Sequence, residues 1–318
     1  MTTKELTIEG WRGDCIESSH AIDAIAINAE GEIILAIGQH DRKVTWRSAA
    51  KPFQLQVALG ALPAELVSKL TDREVALGAA SHTAEPNHLK ALDSLASKLS
   101  VDLETLQCGA HLPISQESTR EYLQTGQEIC ARHNNCSGKH AFMLAACQHH
   151  YGDPGHYLEA DHPLQRAVVQ LLRQFGEVSS AVDGCGAPCF ISDLNTLALT
   201  WQTLSDLSNP TLTRIKTAMT AQPWYYSGSD RLDYNLASEG RGLLTKVGAA
   251  GLLGGVILDK GIAFALKVRD GSDLARPLAA YEVLEQLGYH RSSNEPLLRK
   301  NVVGAPIGHW ESRWNHNK

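Results

Sequence analysis

The sequence predicts an α+β fold: a mostly antiparallel sheet flanked by helices. Two hairpin signals and the stretch between them carry that prediction. Ala21 to Ile27 and Glu32 to Ile37 are mostly apolar runs around the turn sequence Asn28-Ala29-Glu30-Gly31. Gly254 to Leu258 and Ile262 to Val268 flank Asp259-Lys260-Gly261 in the same way. Between the hairpins the apolar spacing is mostly helical, as at Leu55 to Leu62 and Asp93 to Leu99. Asp161-His162-Pro163 opens a further helix running from Leu164 to Phe175, with proline in its first turn. Strands at both ends with helices between them predict one domain over residues 1–318, its sheet built from the two termini and its helical middle inserted.

Composition narrows the classes of function. The chain has 318 residues, 43% of them hydrophobic and 20% charged, the profile of a globular protein with a substantial core. The net charge is -6 and there is no long basic run, which argues against a nucleic-acid partner. No apolar stretch reads as a secretory signal or approaches the length of a membrane span. Seven cysteines scattered over this length argue against a disulfide scaffold and for a reducing compartment, so the expected location is cytoplasmic.

Chemistry is concentrated in a few short segments. Arg47-Ser48-Ala49-Ala50-Lys51-Pro52-Phe53 sets a serine and a lysine three residues apart at a helix start, on one helical face. A neutral lysine there can take the serine's proton and make it a nucleophile. The same spacing also occurs in an ordinary capped helix, and Pro52 disfavours α geometry at Lys51, so a distorted first turn is expected. Asn134-Asn135-Cys136-Ser137-Gly138-Lys139-His140 precedes an apolar helix from Ala141 to Cys147, with Asn134 or Asn135 as its expected cap. Val182-Asp183-Gly184-Cys185-Gly186-Ala187-Pro188-Cys189 is a second glycine-containing loop. Cys136 and Cys185 could hold a soft metal such as zinc, or could be buried thiols acting as small apolar side chains. Ser81-His82-Thr83-Ala84-Glu85-Pro86 and Cys108-Gly109-Ala110-His111-Leu112-Pro113 each also read as a turn, and Lys267 as a solvated strand end.

In order along the chain these segments resemble the rhizobial-type L-asparaginases. The match comprises Arg47-Ser48-x-x-Lys51-Pro52-Phe53-Gln54, Ser81-His82-Thr83-x-Glu85-Pro86 and Cys108-Gly109-x-His111-x-Pro113. It continues through Asn135-Cys136-Ser137-Gly138-Lys139-His140, Asp161-His162-Pro163, Asp183-Gly184-Cys185-Gly186-x-Pro188 and Leu266-Lys267-x-x-Asp270-Gly271. The resemblance runs from about residue 10 to residue 310. It implies a fold similar to serine β-lactamases and glutaminases. It implies Ser48 as nucleophile with Lys51 as its base, and Ser81 with Lys267 as a second serine-lysine pair. It implies a Zn2+ ion on Cys136, Lys139 and Cys185, modulating the pocket rather than generating the nucleophile. Asp183 is the expected partner of the substrate's α-ammonium group, and Arg47 and His82 of its α-carboxylate. A homodimer is implied as well.

The expected activity is hydrolysis of L-asparagine to L-aspartate and ammonia. The alternatives are a serine amidohydrolase acting on another amide such as glutamine, one methylene longer, or a non-catalytic zinc or amino-acid binding protein on the same scaffold. Two departures bear on this. Residues 248–251 read Gly-Ala-Ala-Gly where the family pattern has Gly-Ala-Glu-Gly, so Ala250 lacks a carboxylate. Residues 228–231 read Gly-Ser-Asp-Arg where Gly-Thr-Gly-Arg is expected, so Asp230 replaces a glycine. Cys189 is an additional thiol and a possible alternative metal ligand.

Overall fold

A computed structural model describes residues 4–126, 128–239, 242–290 and 297–316. The strands are β1 (Lys4–Arg12), β2 (Cys15–Ile27), β3 (Ile33–Ile37), β4 (Val44–Thr45), β5 (Ser179–Val182), β6 (Pro188–Ser192), β7 (Leu243–Gly248), β8 (Leu252–Ile257), β9 (Ile262–Val268), β10 (Leu298–Lys300) and β11 (Pro306–His316). The α-helices are α1 (Lys51–Gly60), α2 (Ala64–Lys69), α3 (Asp72–Gly78), α4 (Pro86–Leu99), α5 (Gln116–Thr125), α6 (Ser137–Ala146), α7 (Pro163–Leu172), α8 (Leu194–Gln202), α9 (Pro210–Ala221), α10 (Pro223–Tyr226), α11 (Leu232–Ser238) and α12 (Arg276–Gln286). They form two compact units. One comprises the chain up to residue 49, residues 192–205 and the chain from residue 245; the other comprises residues 50–191 and 206–244. Among the described residues no helix is long and apolar enough to cross a membrane.

The first unit is built on an eight-stranded sheet in the order β10-β11-β1-β3-β2-β9-β8-β7. Pairing is antiparallel apart from a single parallel bridge between β1 and β3. Both expected hairpins are present. Ile27 pairs with Ile33 across the first turn, where Asn28 Oδ1 accepts the amides of Glu30 and Glu32. Ile257 pairs with Ile262 across the second, where Gly261 takes a φ of +61°. Helix α8 packs on β2, β8 and β9, and α12 on β9 and β11. Glycine sets the first of these contacts: a Cβ on Gly254 would lie 2.3 Å from Trp201 Nε1.

The second unit is mostly helical, with β5 and β6 forming a hairpin from Val182↔Pro188 to Ser179↔Ile191. Its helices α1, α3 and α6 pack through small residues. A Cβ on Gly78 would lie 2.6 Å from Phe142 and 2.7 Å from Leu55, and one on Gly138 would lie 2.4 Å from the Leu77 carbonyl oxygen.

Several local readings change. Residues Arg47–Ala50 form a 3-10 turn, and the α-helix starts only at Lys51 with Pro52 in its first turn, which is the distortion that proline dictates. Helix α6 starts at Ser137 rather than Ala141, with Cys136 at its N-cap and no side-chain cap bond. Asn134 Oδ1 accepts the Cys136 amide instead. Within the expected start Asp161-His162-Pro163, His162 caps α7, its Nδ1 accepting the Leu164 amide.

Because the Gly138 contact is with backbone, it has no side chain that can move away. Gly138→Ala is expected to destabilise the fold by about 2–3 kcal/mol through overpacking. Denaturant unfolding measures this, and an unchanged midpoint contradicts the α3–α6 contact.

Candidate active site

The second unit brings four of its motif segments together around one buried amine. Lys51, at the start of α1, is 1% exposed. Its Nζ donates to the Ala80 carbonyl oxygen, to Ser81 Oγ at 3.0 Å, and to the Asn135 carbonyl oxygen and Oδ1, both at 3.4 Å. Burial lowers the Lys51 pKa; the nearby Cys136 and Cys185 thiols oppose this, and Lys139 reinforces it. Three of the four oxygens belong to carbonyl or amide groups and can only accept. Ser81 Oγ can also donate, so it is the partner able to answer a change of protonation on Lys51.

The Ser81 loop is held from below. Ser81 N–H donates to the Tyr226 carbonyl at 3.1 Å, and His82 N–H to that of Asn135 at 3.3 Å. His82 is fully buried. Its Nδ1 accepts the Ala84 amide at 3.1 Å, so the proton is on Nε2, which donates to Ser137 Oγ at 2.8 Å. Burial holds the His82 pKa well below its ordinary value, with the charges of His88 and Lys51 adding to the effect. Both nitrogens are therefore committed internally, which leaves neither for a ligand carboxylate. Thr83 and Ser229 both bond to Glu85, and a Cβ on Gly228 would lie 2.4 Å from Thr83 Oγ1.

Next to Lys51 lies the sulfur pair. Cys136 and Cys185 are both buried, and the Lys139 amine is 3.4 Å from Cys185 Sγ. Their interaction pushes the Cys136 thiol well up and holds the Cys185 thiol well down, with Lys139 also lowering Cys185. Burial works to lower the Lys139 pKa, but the charges of Cys185, Cys136 and Asp183 outweigh it and raise the value. The Tyr157 hydroxyl accepts from the Gln107 amide at 3.0 Å and shares a hydrogen bond with His140 Nδ1 at 2.7 Å. Burial holds the His140 pKa at about 4. Among the described residues no three His, Cys, Asp or Glu side chains stand together as a metal-holding group. Two sulfurs and one amine nevertheless converge, and that donor set fits zinc once the thiols and the amine have lost their protons.

Asp183, half-buried, sits in the β5–β6 turn with Oδ1 accepting the Gly184 amide at 2.7 Å. Cys189 is buried on β6, its Sγ 3.9 Å from the Phe190 carbonyl oxygen. In the first unit, Arg47 has a left-handed φ of +47° immediately before the half-buried Ser48. Lys267, on β9, donates to the carbonyl oxygens of Val268 at 2.7 Å and of Ala250. Burial lowers its pKa, and Asp270 and Asp273 oppose this. Ala250 and Asp230 both have positive φ, +61° and +57°. The carbonyl of Ala250 thus serves the lysine at a position where the family pattern has glutamate. Asn135 is expected from the sequence only as a helix cap and His111 only as part of a turn, although both lie in motif segments.

No curated protein matches this chain by sequence. Solved structures to which this chain shows some likeness include a β-lactamase from Mycobacterium bovis, 16% identical, covering 85% of this chain and 95% of that one with a TM-score of 0.44. A probable glutaminase is 16% identical over 85% of this chain and 86% of its own, with a TM-score of 0.39. The protein Mglu in its glutamate form is 12% identical over 88% of this chain, with a TM-score of 0.39; the match spans only 65% of the Mglu chain. At the level of sequence, the family described as L-asparaginase II matches residues 8–312, and the chain therefore belongs to that amidohydrolase family.

Proposed function

We propose that the chain hydrolyses the side-chain amide of L-asparagine through an acyl-enzyme. Ser48 Oγ attacks the amide carbon while neutral Lys51 takes its proton. The C–N bond of the tetrahedral intermediate breaks, and the nitrogen leaves as ammonia carrying that proton. Water then attacks the acyl-serine, releasing L-aspartate and restoring the hydroxyl. Lys267, with Ser81, stabilises the negative charge that develops on the carbonyl oxygen. Arg47 and Asp183 are the proposed partners of the substrate's α-carboxylate and α-ammonium. His82, with both nitrogens engaged, is assigned to support of the Ser81 loop. The observation that supports this reading is the buried Lys51 amine with its lowered pKa, three residues after Ser48 in the sequence and 3.0 Å from the Ser81 hydroxyl.

Cys136, Lys139 and Cys185 would hold the zinc ion, which when bound would brace the pocket and tune substrate affinity, its Lewis acidity damped by two thiolates. Cys185→Ser is expected to lower the bound zinc, read by elemental analysis, and to raise KM more than it lowers kcat.

The 3.0 Å contact also favours a second reading, in which Ser81 carries the acyl group and Lys51 is its base. A diazoketone analogue of asparagine, followed by peptide mass mapping, separates the two. A label on Ser48 supports the first reading and a label on Ser81 the second. Ser48→Ala is expected to lower ammonia release from L-asparagine by roughly three orders of magnitude or more, as loss of one member of a catalytic unit does. Turnover surviving in that variant sinks the nucleophile assignment. L-Glutamine assayed alongside reports the other amide.

The base must be neutral to act, so turnover is expected to rise with pH as Lys51 deprotonates. The lowered pKa moves this rise toward neutral pH. Lys51→Arg replaces the amine with a group that stays charged, and is expected to lose activity at every pH. An unchanged pH profile in that variant removes Lys51 from the role of base.

A further inference from the structure

We propose that His111 is a positioning residue for Lys51, acting through the side-chain amide of Asn135. The proposal rests on Lys51 being the base of the proposed reaction. Its geometry, however, stands on its own. His111 Nε2 lies 3.0 Å from the backbone nitrogen of Asn135 and 3.2 Å from its Nδ2. A backbone N–H can only donate, so Nε2 is an acceptor and carries no proton. The ring proton is therefore on Nδ1, where it donates to the Leu112 carbonyl at 2.6 Å.

This tautomer decides which way the asparagine points. An acceptor at Nε2 requires the NH2 end of the amide on its side, so Oδ1 faces away from His111. There it accepts from Lys51 Nζ at 3.4 Å. A flipped amide would bring donor against donor at Lys51. The Asn135 carbonyl is placed separately, where it receives Lys51 and the amide of His82. The loop carrying His111 is tied down beside it: Asn134 Nδ2 donates to the carbonyls of Cys108 at 2.8 Å and Gly109 at 3.1 Å. Gly109 takes a φ of +73°, which lets the chain turn between those bonds and His111.

The test combines a spectroscopic and a kinetic arm on the full-length, zinc-loaded protein. Histidine 15N–1H correlation spectra at neutral pH, with His111 assigned by its loss in His111→Gln, are expected to show proton on Nδ1 and none on Nε2. His111→Leu removes the acceptor and is expected to lower kcat about tenfold with KM nearly unchanged, while His111→Gln, whose Oε1 can reach the place of Nε2, restores most of it. In an Asn135→Ala background His111→Leu is expected to have no further effect, because the path through the amide is already cut. A proton on Nε2, full activity in His111→Leu, or additive losses in the double variant each overturn the proposal. A wild-type protein that turns over no amide would sink the hydrolase reading, and the tautomer would then decide the positioning.

Discussion

The second unit is organised around the burial of one amine. Removing a lysine ammonium from water costs several kcal/mol unless it is paired or loses its proton. Lys51 is surrounded by oxygens rather than by a carboxylate, so burial moves it toward the neutral form without trapping it as a salt bridge. The cost of that burial is met by bonds from two separate loops, and each loop is placed by something else. Ala80 and Ser81 follow α3, whose packing on α6 depends on Gly78 and Gly138. Asn135 precedes α6 itself. The amine, the glycines and the helix packing form one interdependent unit.

A second theme is the fixed polarity of the surrounding hydrogen bonds. His82 Nδ1 and His111 Nε2 are each fixed as acceptors by a backbone N–H that can only donate. Neutral imidazoles next to a buried amine add no repulsive charge. Left-handed residues mark the edges of these loops. Arg47, Ala84, Asp230 and Ala250 all adopt a conformation that glycine or asparagine would take with less strain, and each adjoins or lies inside a motif segment.

Much of this was legible in the sequence, for physical reasons that differ between segments. The two hairpins announced themselves because apolar runs bracket turn residues, and the paired registers Ile27↔Ile33 and Ile257↔Ile262 fall where the runs end. Strand β2 begins six residues before its apolar run. Its first half, Cys15 to His20, is exposed or only partly buried and carries no apolar period. The helix start at Lys51 was shifted by a 3-10 turn that Pro52 foreshadowed without locating. At the site, the serines, lysines and cysteines were visible because their chemistry stands out at fixed spacing. His111 and Asn135 were not, because their role lies in contacts between residues 24 apart, which no local pattern encodes.

The path of the chain through the sheet has a consequence for how the protein is made. Ile22 pairs with Val268, and Leu6 with Trp314, so β1 and β2 find these partners only once β9 and β11, far downstream, have emerged. Residues 50–191 are continuous in sequence and can collapse around Lys51 while the ribosome is still at work. Meanwhile β1 and the apolar half of β2 wait with hydrogen-bonding edges unpaired. Contacts of such long sequence separation slow folding and leave strand edges open to wrong partners. Synthesis of this chain is therefore most exposed to aggregation during the interval between completion of its middle and release of its C-terminal strands.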